Sequence, residues 1–170
     1  MKRTILVADD EKNIRNGLQL ALEDEGYEVY LAADGDEAWK AITSNNIDLV
    51  ISDLRMPGLS GQDLLKRIVS SYPMMPVIIL TGHGTIESAV EAMRNGAVDF
   101  VTKPLNLDRL FLMVRRAFSN RELYDQNQAL KQELEQLKRK TGSDKIVGKS
   151  EKMARLMERI AECVNEKIIE

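Results

Sequence analysis

The sequence alternates short apolar runs with amphipathic segments, and this alternation limits the fold more than any other feature. Five runs of strand length are separated by stretches whose apolar residues recur at helical spacing. The predicted strands cover residues 4–8, 27–32, 47–53, 77–80 and 98–102, and the predicted helices 11–25, 36–44, 62–71 and 85–95. Repeated βαβ units with right-handed crossovers imply an α/β fold, a doubly wound parallel sheet between two helical layers. The periodicity leaves the strand order open.

A different pattern begins near residue 107. Residues 107–140 contain no Gly or Pro and are rich in Leu, Glu, Gln, Lys and Arg, which predicts one long helix. Its second half has apolar residues and one asparagine at alternating spacings of four and three, as in a coiled-coil seam. The seam consists of Leu123, Asn127, Leu130, Leu134 and Leu137. A dimeric coiled coil is the favoured interpretation, and a solvated charged helix is the alternative.

Composition and charge narrow the class of protein. The chain has 170 residues, a net charge of -3 and a pI near 5.4, so a broad surface for nucleic acid or anionic membrane is not expected. Cys163 is the single cysteine, which excludes an internal disulfide. We find no signal peptide and no run near the roughly 20 apolar residues of a membrane span. We therefore expect a cytoplasmic protein that binds neither nucleic acid nor membrane directly.

Polar residues of the types that carry out catalysis or bind metals lie at the ends of four predicted strands. Because the carboxyl ends of parallel strands share one edge of a sheet, we expect their side chains to converge. These residues are Asp9, Asp10, Asp53, Thr81, Gly82 and Lys103. Each one separately has a structural explanation, such as a helix cap, a turn or a surface charge. Their joint position at strand ends favours a functional site.

Three of these residues are carboxylates, which repel each other at close range unless a cation intervenes. Mg²⁺, a hard ion that keeps several waters, is the expected occupant. We expect Asp10 to contact the metal directly and Asp9 largely through water, with Asp53 also among the metal-site residues. The backbone carbonyl of Arg55 is a further candidate ligand.

The same residues suit an in-line phosphoryl transfer to Asp53. The metal would hold one equatorial oxygen of the transferring group, Lys103 a second, and Thr81 with nearby backbone amides the third. The product, an acyl phosphate, is labile and fits a reversible switch. An alternative with similar chemistry is a phosphatase of the haloacid dehalogenase type. That class has its nucleophile on the first strand in an Asp-x-Asp pattern, whereas Asp9 and Asp10 are adjacent.

These motifs together resemble the receiver domain of bacterial two-component response regulators over about residues 3–120. The motifs are Asp9-Asp10, Asp53 within Asp-Leu-Arg-Met-Pro-Gly, Thr81-Gly82, and Phe100-Val-Thr-Lys103-Pro104. The resemblance implies a flavodoxin-like (βα)5 fold with strand order 2-1-3-4-5. It also implies phosphorylation of Asp53 by a sensor histidine kinase and a cis Lys103–Pro104 bond. Phe100 matches the aromatic residue that turns inward when Thr81 moves to the phosphoryl group.

By the same resemblance the chain is a phosphoacceptor switch and not an enzyme, although it assists its own phosphotransfer and slow dephosphorylation. Thr81-Gly82-His83-Gly84, the long helix and Ile146-Val147-Gly148-Lys149-Ser150 look like the nitrogen-regulator class of sigma-54 activators. We expect a receiver at 1–120, a dimeric linker helix at 107–140, and a segment at 141–170 that leads into an absent AAA+ ATPase. The expected partners are a second copy of the chain and, in a full-length protein, that ATPase and sigma-54 RNA polymerase. A stand-alone dimeric receiver with another output is the alternative.

Overall fold

A computed structural model describes residues 2–82 and 86–140 and contains a parallel sheet covered on both faces by helices. The elements in chain order are β1 (Thr4–Ala8), α1 (Lys12–Asp24), β2 (Glu28–Ala32), α2 (Gly35–Ser44), β3 (Leu49–Asp53), α3 (Gly61–Ser71), β4 (Val77–Thr81), α4 (Ile86–Arg94), β5 (Asp99–Thr102) and α5 (Leu107–Lys140). The strand order is β2-β1-β3-β4-β5, and all pairs are parallel. The order implied by the resemblance and the α/β class are therefore confirmed.

Alternate residues of each strand point to opposite faces of the sheet and build two apolar cores. On one face, Leu6 packs in a cluster with residues of α2, α3 and α4. On the other, Ile5 and Val7 pack in a cluster with residues of α1 and α5, including Leu18 and Leu110. Strands β1, β3 and β4 are buried along their whole length, which is why they read as continuous apolar runs in the sequence.

Most predicted boundaries agree with the structure to within a residue or two. The largest difference is at β3, which was predicted from residue 47 and begins at Leu49. The Asp48 carboxylate accepts a hydrogen bond from the Thr4 backbone N–H at 2.9 Å, so this residue serves as a link to β1 before the strand starts. The long helix was predicted at its observed bounds, Leu107–Lys140. The predicted start of the fourth helix at residue 85, together with His83, Gly84 and the segment 141–170, lies outside the described residues.

The chain divides into two compact units, Met1–Leu123 and Tyr124–Glu170. In the first unit, contacts of Arg3 and Arg121 attach α5 to the amino edge of the sheet. The Arg3 guanidinium lies 4.3 Å from the centroid of the Phe118 ring and pairs with Glu122. Arg121 donates a hydrogen bond of 3.1 Å to the Asp48 carbonyl oxygen. The described part of the second unit is helical, and its seam residues Leu130, Leu134 and Leu137 are exposed by 51% or more.

In the part of the chain that the structure describes, we find no helix that is both long and apolar enough to cross a membrane.

Two glycines give a matched test of how closely β3 and α3 pack. A Cβ at Gly61 would lie 1.8 Å from the backbone oxygen of Asp53, whereas a Cβ at Gly17 in α1 would meet nothing within 4 Å. We expect Gly61→Ala to lower the free energy of unfolding by about 1–3 kcal/mol, because the backbone next to Asp53 must shift. Gly17→Ala, the control, raises it by about 0.5–1 kcal/mol through helix propensity. Urea unfolding followed by circular dichroism measures both, and equal effects would contradict the packing argument.

Candidate functional site

Asp53 is the last residue of β3, at the centre of the carboxyl edge of the sheet. The residue is 6% exposed, and each of its carboxylate oxygens has a different partner. Oδ1 accepts a hydrogen bond of 3.0 Å from the Arg55 backbone N–H. Oδ2 lies 2.6 Å from the Nζ of Lys103. The carboxylate is thus held in a fixed orientation while one side of it faces a cavity.

The acid pair follows β1, the strand next to β3. Asp9 is fully buried; its Oδ1 accepts a hydrogen bond of 2.8 Å from the Glu11 backbone N–H, and its Oδ2 lies 2.9 Å from Lys103 Nζ. Asp10 is exposed and lines the same cavity as Asp53. The Arg15 guanidinium donates to the backbone carbonyls of Asp9 and Asp10, at 2.5 and 2.9 Å. This arginine therefore fixes the turn that presents both carboxylates.

The three carboxylates converge as the sequence predicted. One oxygen each of Asp9, Asp10 and Asp53 lies within 4.8 Å of the others, a spacing that a single cation could bridge. Burial raises the pKa of the Asp9 carboxyl, although Lys103 and the Glu11 amide act in the opposite direction. A buried carboxylate beside two others is costly without positive charge. A set of hard oxygen donors with unbalanced negative charge fits Mg²⁺.

Lys103 supplies the positive charge of the site in this structure. Its ammonium contacts Asp53, Asp9 and the exposed Glu11, the last at 2.9 Å. Burial lowers the pKa of Lys103, but the contacts with the carboxylates of Asp53, Asp9 and Glu11 outweigh it and hold that pKa above its usual range. The side chain stays protonated at neutral pH and bridges carboxylates from β1 and β3.

The backbone around Lys103 positions it against the end of β4. Its N–H donates a hydrogen bond of 2.8 Å to the carbonyl oxygen of Thr81. The peptide bond to Pro104 is cis, which confirms the expectation from the resemblance. Thr81 itself is buried, with 3% of its surface exposed, and ends β4.

These residues surround an open cavity of about 320 Å³ at the carboxyl edge. Most candidate residues named from the sequence line it, and Asp9, which is not in the lining, contacts the lining residue Lys103. The lining residues are Asp10, Glu11, Asp53, Leu54, Arg55, Thr81, Gly82 and Lys103. The cavity can admit a small charged group to the Asp53 carboxylate, with a cation on one side of it and an ammonium on the other.

Phe100, which the resemblance named as a switch residue alongside Asp53, Thr81 and Lys103, lies on β5. It is partly buried against the core cluster formed with α2, α3 and α4. It is three residues before Lys103 in the chain. Its assignment as a switch aromatic stays a prediction, as does the metal-binding role of the Arg55 carbonyl.

Sequence reasoning missed two residues of the site, Glu11 and Arg15. Both fall on the predicted first helix, which was predicted to begin at Glu11, and neither side chain was assigned a role there. A signal was present, because residues at the N-terminus of a helix that follows a strand lie at the carboxyl edge of the sheet. The partner of Glu11, Lys103, is 92 residues away in the chain and could not be inferred locally.

Comparison with known proteins agrees with this geometry. Residues 5–115 match the family described as the response regulator receiver domain. The nitrogen assimilation regulatory protein NtrX of Azorhizobium caulinodans is 38% identical over 152 residues, which cover 88% of this chain and 32% of that protein. The DNA-binding transcriptional regulator NtrC of Salmonella typhimurium is 40% identical over 121 residues, covering 71% of this chain and 26% of the relative.

A solved structure extends the likeness to three dimensions. The receiver domain of NtrX from Brucella abortus is 44% identical, has a TM-score of 0.65, and covers 68% of this chain and 98% of its own. This chain spans about a third or less of the length of its NtrX and NtrC relatives. A receiver sheet order, an acid cluster at its carboxyl edge and a family match over 5–115 lead to one conclusion. The chain belongs to the response regulator receiver family and is similar to regulators of the NtrX and NtrC type.

Proposed function

We propose that this chain accepts a phosphoryl group on Asp53 from a sensor histidine kinase and acts as a switch in two-component signalling. The observation that carries the proposal is the Asp53 carboxylate at an open cavity, 2.6 Å from the ammonium of Lys103 and within a cluster of three carboxylates. A phosphoryl donor brings a negatively charged group to this point, and the cavity offers it fixed positive charge. Membership of the receiver family favours this function over the haloacid dehalogenase alternative.

The residues of the chain have separate parts in the transfer. The Asp53 carboxylate attacks phosphorus as the bond from phosphorus to the kinase's histidine nitrogen breaks, and that nitrogen keeps the bonding electrons. Lys103 donates a hydrogen bond to a phosphoryl oxygen and stays protonated. Thr81 offers its hydroxyl, and the Gly82 N–H is unobstructed by a side chain.

Mg²⁺ fits the donor set of Asp9, Asp10 and Asp53, with the Arg55 carbonyl as a further ligand. When bound, it supplies positive charge that neutralises the carboxylates and the phosphoryl oxygens. By this proposal the chain is a phosphoacceptor and not a turnover enzyme. A cytoplasmic location follows from the supply of its phosphoryl group by a kinase.

We further propose that α5 carries the output through a dimer. The seam leucines Leu130, Leu134 and Leu137 are exposed by 51% or more in the chain, and a second copy would cover them. By similarity to the NtrX and NtrC regulators, phosphorylation changes the dimer arrangement and so controls an AAA+ ATPase that acts on sigma-54 RNA polymerase. In that scheme the unphosphorylated dimer keeps the ATPase domains apart and phosphorylation releases them to form a ring.

The metal proposal predicts a stabilisation that depends on Asp10. With Mg²⁺ at a hundred times its Kd, we expect the free energy of unfolding to rise by about 2.7 kcal/mol, because only the folded chain has the site. Asp10→Asn should abolish most of this gain, whereas the charge-matched control Glu28→Gln, at the start of β2, should keep it. Thermal unfolding with and without Mg²⁺ measures the effect. Since burial raises the pKa of Asp9, protons compete with Mg²⁺ and the gain shrinks as pH falls.

The phosphoacceptor proposal predicts a covalent product on a single residue. After incubation with Mg²⁺ and acetyl phosphate, intact mass spectrometry should detect one phosphoryl group on the wild type and on Glu28→Gln. Asp53→Asn should remain unmodified, because an amide cannot form the acyl phosphate. Modification of Asp53→Asn to the wild-type extent would mean that another residue is the acceptor.

The dimer proposal predicts that a substitution at a seam leucine weakens the dimer, whereas a substitution nearby on the same helix but off the seam does not. Leu130→Ser removes from each copy a leucine that the proposed dimer would bury, about 2 kcal/mol each, and should weaken the dimer at least about a hundredfold. Gln132→Ser, on the same helix but off the seam, should leave the dimer intact. Sedimentation equilibrium gives the dissociation constants. A monomeric wild type, or equal losses in the two variants, would refute the seam.

A further inference from the structure

The ammonium of Lys103 is shared among three carboxylates. Its Nζ lies 2.6 Å from Asp53 Oδ2, 2.9 Å from Asp9 Oδ2 and 2.9 Å from Glu11 Oε1. A lysine ammonium has three N–H donors and no more. Two of these donors form hydrogen bonds, to Glu11 and Asp53, whereas Asp9 Oδ2 is in ion-pair contact and accepts no hydrogen bond from the described residues. Glu11 and Asp53 both line the cavity, so a phosphoryl oxygen that enters it and needs Lys103 must displace one of them.

The three partners differ in what their release would cost. Asp9 is fully buried, and loss of its cation would leave a desolvated charge. Asp53 is the acceptor and stays beside the incoming group. The Glu11 side chain is 60% exposed, so water can solvate its carboxylate as soon as it leaves Lys103. Glu11 is therefore the partner that gives way.

The position of Glu11 in the fold points in the same direction. It is the N-cap residue of α1, a place where a side chain usually accepts a hydrogen bond from the first turn of its helix. In the described structure the Glu11 side chain makes no such bond and is directed to Lys103 instead. Its orientation is thus explained by Lys103 and not by the helix that it begins.

We propose that Glu11 is a positioning residue that occupies, before phosphorylation, the Lys103 donor which the phosphoryl group must take, and that it thereby slows phosphorylation of Asp53. The inference rests on the proposed function of Asp53. In the step itself, an Asp53 oxygen bonds to phosphorus while the bond to the leaving atom breaks, and that atom, a histidine nitrogen of the kinase or the acetate oxygen of acetyl phosphate, keeps the electron pair. Lys103 keeps its proton and exchanges the Glu11 carboxylate for a phosphoryl oxygen.

The first test compares phosphorylation rates with acetyl phosphate and Mg²⁺, followed by intact mass. Glu11→Gln keeps the length of the side chain and removes its charge, so it competes weakly for Lys103. We expect its second-order rate constant to exceed that of the wild type about two- to fivefold, the range that a partly exposed ion pair allows. Glu28→Gln, which removes the same charge far from the cavity, should leave the rate constant unchanged.

A second variant separates the contact with Lys103 from the negative charge near the cavity. Glu11→Asp keeps the charge, but its shorter side chain suits the N-cap of α1 and turns away from Lys103. We expect it to be phosphorylated as fast as Glu11→Gln and to unfold at a higher temperature than the wild type. A merely structural role for Glu11 predicts the reverse, slower phosphorylation whenever the residue is changed.

The outcomes distinguish this inference from the proposed function. If Glu11→Gln is no faster than the wild type, the inference is wrong while Asp53 remains the acceptor. If Glu11→Gln is faster but Glu11→Asp matches the wild type, the general charge at the cavity is responsible and the contact is not. A wild type that takes no phosphoryl group on Asp53 would overturn both.

Discussion

The bridge from Lys103 to Asp9 and Asp53 is the interaction on which the site depends. These carboxylates follow neighbouring strands, β1 and β3, whereas Lys103 follows β5, on the far side of β4. Adjacent strands are about 4.8 Å apart, so β5 is roughly 10 Å from β3 and roughly 14 Å from β1 along the sheet edge, and the cation must span this separation. A long flexible side chain on a tightly positioned loop meets this need. Without that cation, two buried carboxylates would stand side by side with their repulsion unscreened.

Most of the fold could be predicted because its parallel strands are buried on both faces. Such strands appear in the sequence as uninterrupted apolar runs, and β1, β3 and β4 are of this kind. The convergence of Asp9, Asp10 and Asp53 also followed from the sequence, because a residue at the carboxyl end of a parallel strand can lie only at one edge. Strand order came from the family resemblance and not from periodicity.

Other features depend on partners that are distant in the sequence and could not be read locally. Asp48 looks like part of an apolar strand until its bond to the Thr4 amide is known. Glu11 occupies a capping position and would be expected to cap α1, but an ammonium 92 residues away attracts it. Arg15 is an ordinary polar residue of α1 until the carbonyls of the acid pair are located beside it. In each case the secondary-structure element could be predicted from the sequence, but the direction of its side chain could not.

The two edges of the sheet hold different groups of residues with different functions. The reactive carboxylates and Lys103 lie at the carboxyl edge, whereas Arg3 and Arg121 fasten the end of the receiver part of α5 at the amino edge. A strand of five residues separates these edges by about 16 Å, beyond the distance at which substitutions usually couple. The chemistry and the attachment of a C-terminal extension can thus diverge independently. A receiver of this kind can accept substitutions in the helix held at its amino edge and retain an unaltered reactive centre.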